Sequence, residues 1–478
     1  MGRPRSQAQK RDNMLKDIIK KEILDHLLST KFLFMFIICS ALILLSVYMG
    51  TAEYLADKKV YDDDVAEVRQ TLAPPRTYSD LSDGAAHRMF RVPQTLGALV
   101  KGVEDSAERM SYISMPEVSF SESKNESDPM TAVFGSFDLM FIVKMVLSLL
   151  AILLVYDAIC GEKEKGTLKL MLANSVPRDR LLLGKAIGGY ISLCVPLLIP
   201  LLLSLIYLSL HPRIVLTGED WQRLTLIFLL FLLYLSVFFC LGLLVSSLTA
   251  RSSTSLLVLL SVWVMLGMVV PKASVIMADH LRPIPTPNEI YTQTLTFSTQ
   301  LQREQNQALM QKQQDLLAQL GTTNPQANQE LQRVLSEFLT ENARVFWSSV
   351  GENNARIYRE YQLRKDAQAA LAKNFSRISP VSSLTFAATT LARTGIDDYN
   401  RFEKTVREYK IVFSNMIRTD PDLRGKEIDF AGMPQPALEY ESLSQSFIRI
   451  LPDLISMVVM IALLTGGAYF AFIRCDVR

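Results

Sequence analysis

Six apolar blocks constrain this chain more than any other feature. They lie at 32–50, 137–156, 187–209, 223–248, 254–271 and 448–473. Each approaches or exceeds the ~20 residues that a helix needs to cross ~30 Å of hydrocarbon. The first reads FLFMFIICSALILLSVYMG, whose 19 residues give about 28 Å of helix. A cleaved signal sequence would carry a shorter apolar core, roughly 7–15 residues, and rarely so long a leader. The block is therefore read as an uncleaved anchor. Inside a bilayer every backbone polar group must find an internal partner, and blocks of this length do so as helices. The expected fold is an all-α polytopic membrane protein with six transmembrane helices.

Charge then sets the expected orientation, because Lys and Arg collect on the cytoplasmic side. Residues 1–31 hold eight of them, including Arg3, Arg5, Lys10, Arg11, Lys20 and Lys21. The loop at 157–186 holds Lys163, Lys165, Lys169, Arg178, Arg180 and Lys185. The tail at 474–478 holds Arg474 and Arg478. Placing both termini in the cytoplasm puts all three clusters on one side. The formal net charge of the whole chain is only +2, which implies no nucleic-acid partner. The five cysteines lie in or beside the apolar blocks, so the long polar segments have neither a disulfide framework nor a Cys-based zinc site.

This topology leaves two large extracytoplasmic segments, 51–136 and 272–447. The second contains QTLTFSTQLQREQNQALMQKQQDLLAQL, with leucines at 301, 309, 316, 317 and 320. Gly321 and TTNP break the pattern, and QANQELQRVLSEFLTENARVFW resumes it, which predicts a long helical hairpin. The glutamines alternate with helix formers, so a solvated helix face is preferred over low-complexity sequence. The stretch 419–437 is rich in turn residues and reads as irregular. Before the first block, residues 13–30 place Leu15, Ile18, Ile19, Ile23, Leu24, Leu27 and Leu28 at helical spacing. This predicts an amphipathic helix on the cytoplasmic membrane surface or against a partner.

No catalytic constellation stands out. The four histidines, His26, His87, His211 and His280, show no metal-ligand spacing. Asp62, Asp63 and Asp64 read as a solvated helix start, because a calcium loop alternates its ligands and needs a glycine turn. Within the spans Lys144 is the clear ionisable residue. It either snorkels to the outer surface or marks a translocation path. No buried acid relay is evident, so any transport energy is expected from elsewhere.

The cytoplasmic stretch GEKEKGTLKLML, residues 161–172, shares two glycines with a phosphate-binding loop. It lacks that loop's lysine and follows a span, where a phosphate loop follows a strand of a soluble domain. It reads better as a helix. Glu162 and Glu164 occupy the first turn, where acids suit the helix dipole. Leu168, Met171 and Leu172 fall on one face as an apolar ridge. Asn174 ends the helix, and Ser175 with Pro177 opens another. Such a helix suits docking into a groove of another protein.

GEKEKGTLKLMLANSVPRDRLLLGK resembles the cytoplasmic loop of permease subunits in the type-2 ATP-binding-cassette exporter family. The matching positions are Glu162, Gly166, Thr167, Leu168, Leu172, Pro177, Arg180, Leu183, Gly184 and Lys185. FSRISPVSSLTFAATTLARTGIDDYNRF, VPQTLGALVKGVED and the ending FIRCDVR resemble a subgroup with large helical external inserts. In that ending Asp476 and Arg478 match, and Cys475 replaces a more usual aromatic. The resemblance implies a bacterial cytoplasmic-membrane protein that pairs with a second permease subunit, identical or different. It implies no cofactor on this chain, with ATP and magnesium held by a separate ATPase subunit. Glu162, Glu164, Gly166, Thr167, Leu168, Met171, Leu172 and Pro177 would form the element that couples to this ATPase. The amphipathic leader would be the family's interfacial helix. Partners would also include membrane lipid and an extracytoplasmic protein. The alternative is a membrane-anchored scaffold or signalling protein whose external domain binds partners and which translocates nothing.

Overall fold

A computed structural model describes residues 4–72, 87–104, 109–113, 118–120, 137–173, 177–320, 325–419, 438 and 440–474. Six helices are long and apolar enough to cross a membrane, one for each apolar block. The chain is an all-α, multi-pass membrane protein. Several helices run past the apolar blocks. The first extends over Thr30–Leu72, so 22 residues beyond position 50 continue as helix. The third starts at Arg178, the fifth ends at Leu281 and the sixth starts at Leu443. Hydropathy marks only the part of a helix that lipid surrounds; polar residues with good helix propensity prolong it in water.

Two compact units divide the chain, and the first comprises 1–270 and 377–478. Its centre is made by the second and fourth span helices, whose apolar windows are 56% and 61% buried. The fifth and sixth are only 11% and 17% buried and leave their apolar faces outward. The fourth helix, Gly218–Leu248, begins on a capping box: Thr217 Oγ1 accepts from Asp220 N, and Asp220 Oδ2 accepts from Thr217 N. It then packs Phe231, Tyr234, Phe238 and Phe239 into the core. The second span helix is interrupted by a π-helical turn, Ile142–Leu147, and the fifth by another, Met265–Val269. A π turn frees backbone carbonyls. Here Tyr234 OH donates to Lys144 O at 2.7 Å and Ser379 Oγ donates to Leu266 O at 2.5 Å.

The sequence assigned no strand to the segment 51–136. Beyond the long first helix it holds a three-stranded antiparallel sheet: β1 (His87–Phe90), β2 (Met110–Ile113) and β3 (Val118–Phe120), with β2 in the middle. Strands of three or four residues carry too little alternation to be read from sequence. Asp138 pins this segment to the second span. Its Oδ1 caps that helix by accepting from Phe141 N, while Oδ2 accepts from Lys101 N at 3.0 Å.

Beside this segment a helix runs over Pro380–Ala392, started by Ser379 and stopped by Arg393 in the left-handed conformation, and Thr394 just beyond it donates to Val100 O. The neighbouring helix is Ile396–Thr419. The guanidinium of Arg223 is fully buried among them. It donates to Glu219 Oε1, Leu391 O, Ser446 Oγ and Glu441 O.

The second unit, 271–376, contains the expected hairpin as helices Pro287–Leu320 and Pro325–Ser376. Gln305 Nε2 donates across it to Asn342 O at 2.7 Å. Leu316 and Phe346 are buried in its seam. The irregular reading of 419–437 falls almost wholly outside the described residues, as do Asn174, Ser175 and the tail from Cys475.

Candidate functional site

After the second span the chain turns at 156–159 and forms two short helices, Cys160–Glu164 and Thr167–Ala173. A single helix was expected here. Gly166 separates the two, with φ at +71°. A side-chain-bearing residue disfavours that conformation by about 1 kcal/mol or more. Its N–H still closes on Lys163 O at 3.2 Å.

The expected apolar ridge is turned inward. Leu168 is 1% exposed, and Met171 packs against the same core. Leu172 belongs to the helix, and its side chain lies outside the described residues. An amphipathic helix lays its apolar stripe on its own core before any partner, and here that core is this chain's own. The outward face carries Glu164, Lys165, Thr167, Lys169 and Leu170, the last 68% exposed. Leu170 was not singled out in the sequence because it breaks the ridge's spacing.

The three consecutive residues Glu162, Lys163 and Glu164 each hold a different span. Glu162 Oε1 lies 2.7 Å from Lys185 Nζ in the third span helix. Lys163 Nζ donates to Ser247 O at 2.5 Å and Thr249 O at 3.2 Å, where the fourth helix ends and leaves carbonyls unpaired. Glu164 Oε2 accepts from Ser252 N and Ser252 Oγ at 3.2 and 2.8 Å, capping the start of the fifth. Cys160 N and Ile159 N donate to Ser246 Oγ. Farther along, Arg178 donates to Ile473 O at 2.7 Å, near the end of the sixth helix. Pro177 precedes the third span helix, and its φ of −62° suits the entry to a helix.

The leader joins the same assembly. Its helix, Pro4–Leu27, lies against the start of the third span helix. A Cβ on Gly184 would meet Ile18 Cγ2 at 2.4 Å, and one on Gly188 would meet Glu22 Cβ at 2.8 Å. Only glycine allows that approach. Lys185 Nζ lies 3.3 Å from each Glu22 oxygen, and His26 Nε2 is 3.5 Å from Glu22. Burial pushes the Glu22 carboxyl up. The His26 hydrogen bond and the Lys185 charge outweigh it and hold Glu22 below the usual carboxylate range. Lys31, at the start of the first span helix, pairs with Asp157 at 3.7 Å.

Lys144 is half-buried in the π turn, close enough to Asp138 at the start of that span helix to be attracted by it. It lies toward the opposite end of the second span helix from the 162–164 cluster and is not part of it. Among the described residues no group of three or more His, Cys, Asp or Glu is placed to hold a metal ion.

A protein-family model described as "ABC-2 family transporter protein" matches residues 17–477. No curated protein matches the chain.

Proposed function

The chain belongs to the ABC-2 family of transporter proteins, and on that premise we propose that its 157–186 loop couples a separate ATPase to the spans. Family membership makes the chain the permease, a membrane component that is not itself catalytic. In the proposed reading a partner subunit binds ATP with magnesium and seats on the outward face formed by Glu164, Lys165, Thr167, Lys169 and Leu170. Movement of that subunit pulls on one short segment. The segment passes the pull to the third, fourth and fifth spans through Glu162, Lys163 and Glu164. The observation that carries this reading is that three adjacent side chains grip three different helices.

The same reading places both termini in the cytoplasm of a bacterial cell and pairs the chain with a second permease subunit. The outward apolar faces of the fifth and sixth spans give that subunit, or lipid, a surface to cover. The output is export of a substrate or mechanical work on an extracytoplasmic partner. Here Lys144 serves as an outer-end anchor.

Leu170→Asp with Lys169→Glu tests the docking face. The variant should still reach the membrane and fold, but should retain little ATPase on co-purification. Unchanged ATPase recovery would sink the assignment of that face. The alternative, a scaffold without translocation, would show permease-stimulated ATP hydrolysis but no substrate movement into or out of proteoliposomes.

A further inference from the structure

The second unit carries a groove of about 380 Å³ lined by Arg282, Pro283, Leu363, Arg364 and Ala367. That is at the lower end of the volumes that hold small ligands. Two arginines face the same space. Neither guanidinium has a hydrogen bond or ion pair with another described residue, unlike Arg223, Arg377, Arg393 and Arg401 elsewhere in the chain. The acid beside them is Asp279, whose Oδ1 accepts from Gln368 Nε2 at 2.9 Å. The same Nε2 donates to Arg282 O at 2.9 Å, which fixes the two walls together. The remaining lining is apolar, and Leu363 is 70% exposed.

Depth in the membrane narrows the ligand. The fifth span helix is Ser252–Leu281, 30 residues. At 1.5 Å per residue it is about 45 Å long. That matches the ~40–45 Å of a bilayer with both headgroup layers included. In the topology proposed above this helix starts at the cytoplasmic surface, so a helix of its length ends, one residue before Arg282, at headgroup level in the opposite leaflet. The helix approaches that level with Val275, Ile276 and Leu281 all more than half exposed. Apolar flank below and paired guanidinium groups above match the two halves of an anionic lipid.

We propose that Arg282 and Arg364 bind the phosphate of an anionic phospholipid in the outer leaflet, with its acyl chains lying along the exposed end of the fifth span. Guanidinium is the side chain suited to this task, because its fork of N–H donors matches two phosphate oxygens at once. The site lies in the second unit and uses none of the residues assigned to the ATPase.

The test reconstitutes the full chain in nanodiscs of phosphatidylcholine, with and without phosphatidylglycerol. Retained lipid is read by native mass spectrometry. The wild type should retain phosphatidylglycerol, and Arg282→Ala with Arg364→Ala should retain at least about tenfold less, a difference of 1.4 kcal/mol. Both side chains are exposed and unpaired, so melting in pure phosphatidylcholine should not change. Arg364→Glu alone should also abolish retention, while lysine at both positions should preserve part of it. Arg359→Ala, on the same helix but outside the groove, should have no effect. Equal retention by the double alanine variant overturns the proposal, and so does an equal loss in Arg359→Ala. Displacement of the lipid by inorganic phosphate at matched concentration would assign the groove to a free anion and overturn the lipid reading.

Discussion

The two ends of the span bundle are held together in different ways. At the end that carries the 157–186 loop, separate side chains reach separate helices. Lys163, Glu164 and Arg178 each satisfy backbone groups at a helix terminus, and Glu164 does so while exposed. At the opposite end one fully buried guanidinium, Arg223, gathers a carboxylate, a hydroxyl and two carbonyls from four places in the chain. Arg393 shares the Glu219 carboxylate and the Glu441 carbonyl with it. Glu441 in turn pairs with Arg401 and Arg449. A buried, shared network is rigid and costly to open. Separate bonds at exposed helix ends are individually weak and can be exchanged. The contrast teaches that the Arg223 end suits a fixed hinge and the loop end suits a part that moves.

Breaking the Arg223 network should have the largest effect. Arg223→Met takes the donor from the Leu391 carbonyl and the Ser446 hydroxyl and leaves Glu219 and the Glu441 carbonyl to Arg393 alone, and should cost about 3–5 kcal/mol. Thermal unfolding in detergent should show a large drop. A melting temperature equal to wild type would remove the contrast altogether.

Lys185→Met comes next. It leaves Glu22 and Glu162 facing each other without a cation, but both are partly exposed, so about 2 kcal/mol is expected. The leader helix should become accessible to protease. Glu22 also gives this contact a pH signature. Its carboxyl is held low in the folded protein, so its stabilising contribution is present above the unfolded pKa of 4.5 and fades as pH falls through the lower folded value. In Lys185→Met the leader should instead bind better on acidification. A leader that stays protected at neutral pH in this variant would show that glycine packing alone holds it.

Lys163→Met should cost only about 1 kcal/mol, the worth of an ordinary hydrogen bond. It sharpens the comparison because function should fall much further than stability. ATPase should still co-purify, but its hydrolysis should lose dependence on the permease. Gly166→Ala should have the smallest effect, about 1 kcal/mol of backbone strain with no steric clash, since nothing lies within 4 Å of the added Cβ. Gly166→Pro should be worse, because proline's fixed φ near −65° cannot reach +71° and the N–H to Lys163 O is lost. A Pro variant as stable as the Ala variant would mean that the turn does not need its present shape.

The spans were legible because hydrocarbon demands long uninterrupted apolar runs, and the hairpin was legible because leucine spacing broke and resumed at Gly321. The leader was legible from its amphipathic pattern. The small sheet at 87–120 was not, since three or four residues cannot display a period. At the site, the residues gathered at 162–172 were found, but the surface they present was not. Leu168 and Met171 have the same spacing whether their ridge meets a partner or this chain's own core. The bonds from Lys163 to Ser247 and Thr249, and from Glu164 to Ser252, join positions more than eighty residues apart, and nothing local records them.

The close fit of the leader against Gly184 and Gly188 also sets an order in time. Glu22 and Lys185 are separated by 163 positions. At the ~5–20 residues per second of synthesis, the leader waits roughly 8–33 s before its groove exists. During that interval two spans have been made, and the glycine groove of the third is not yet there for the leader to fill. Its apolar face must rest on the bilayer or on a chaperone, and it changes hands when the third span arrives.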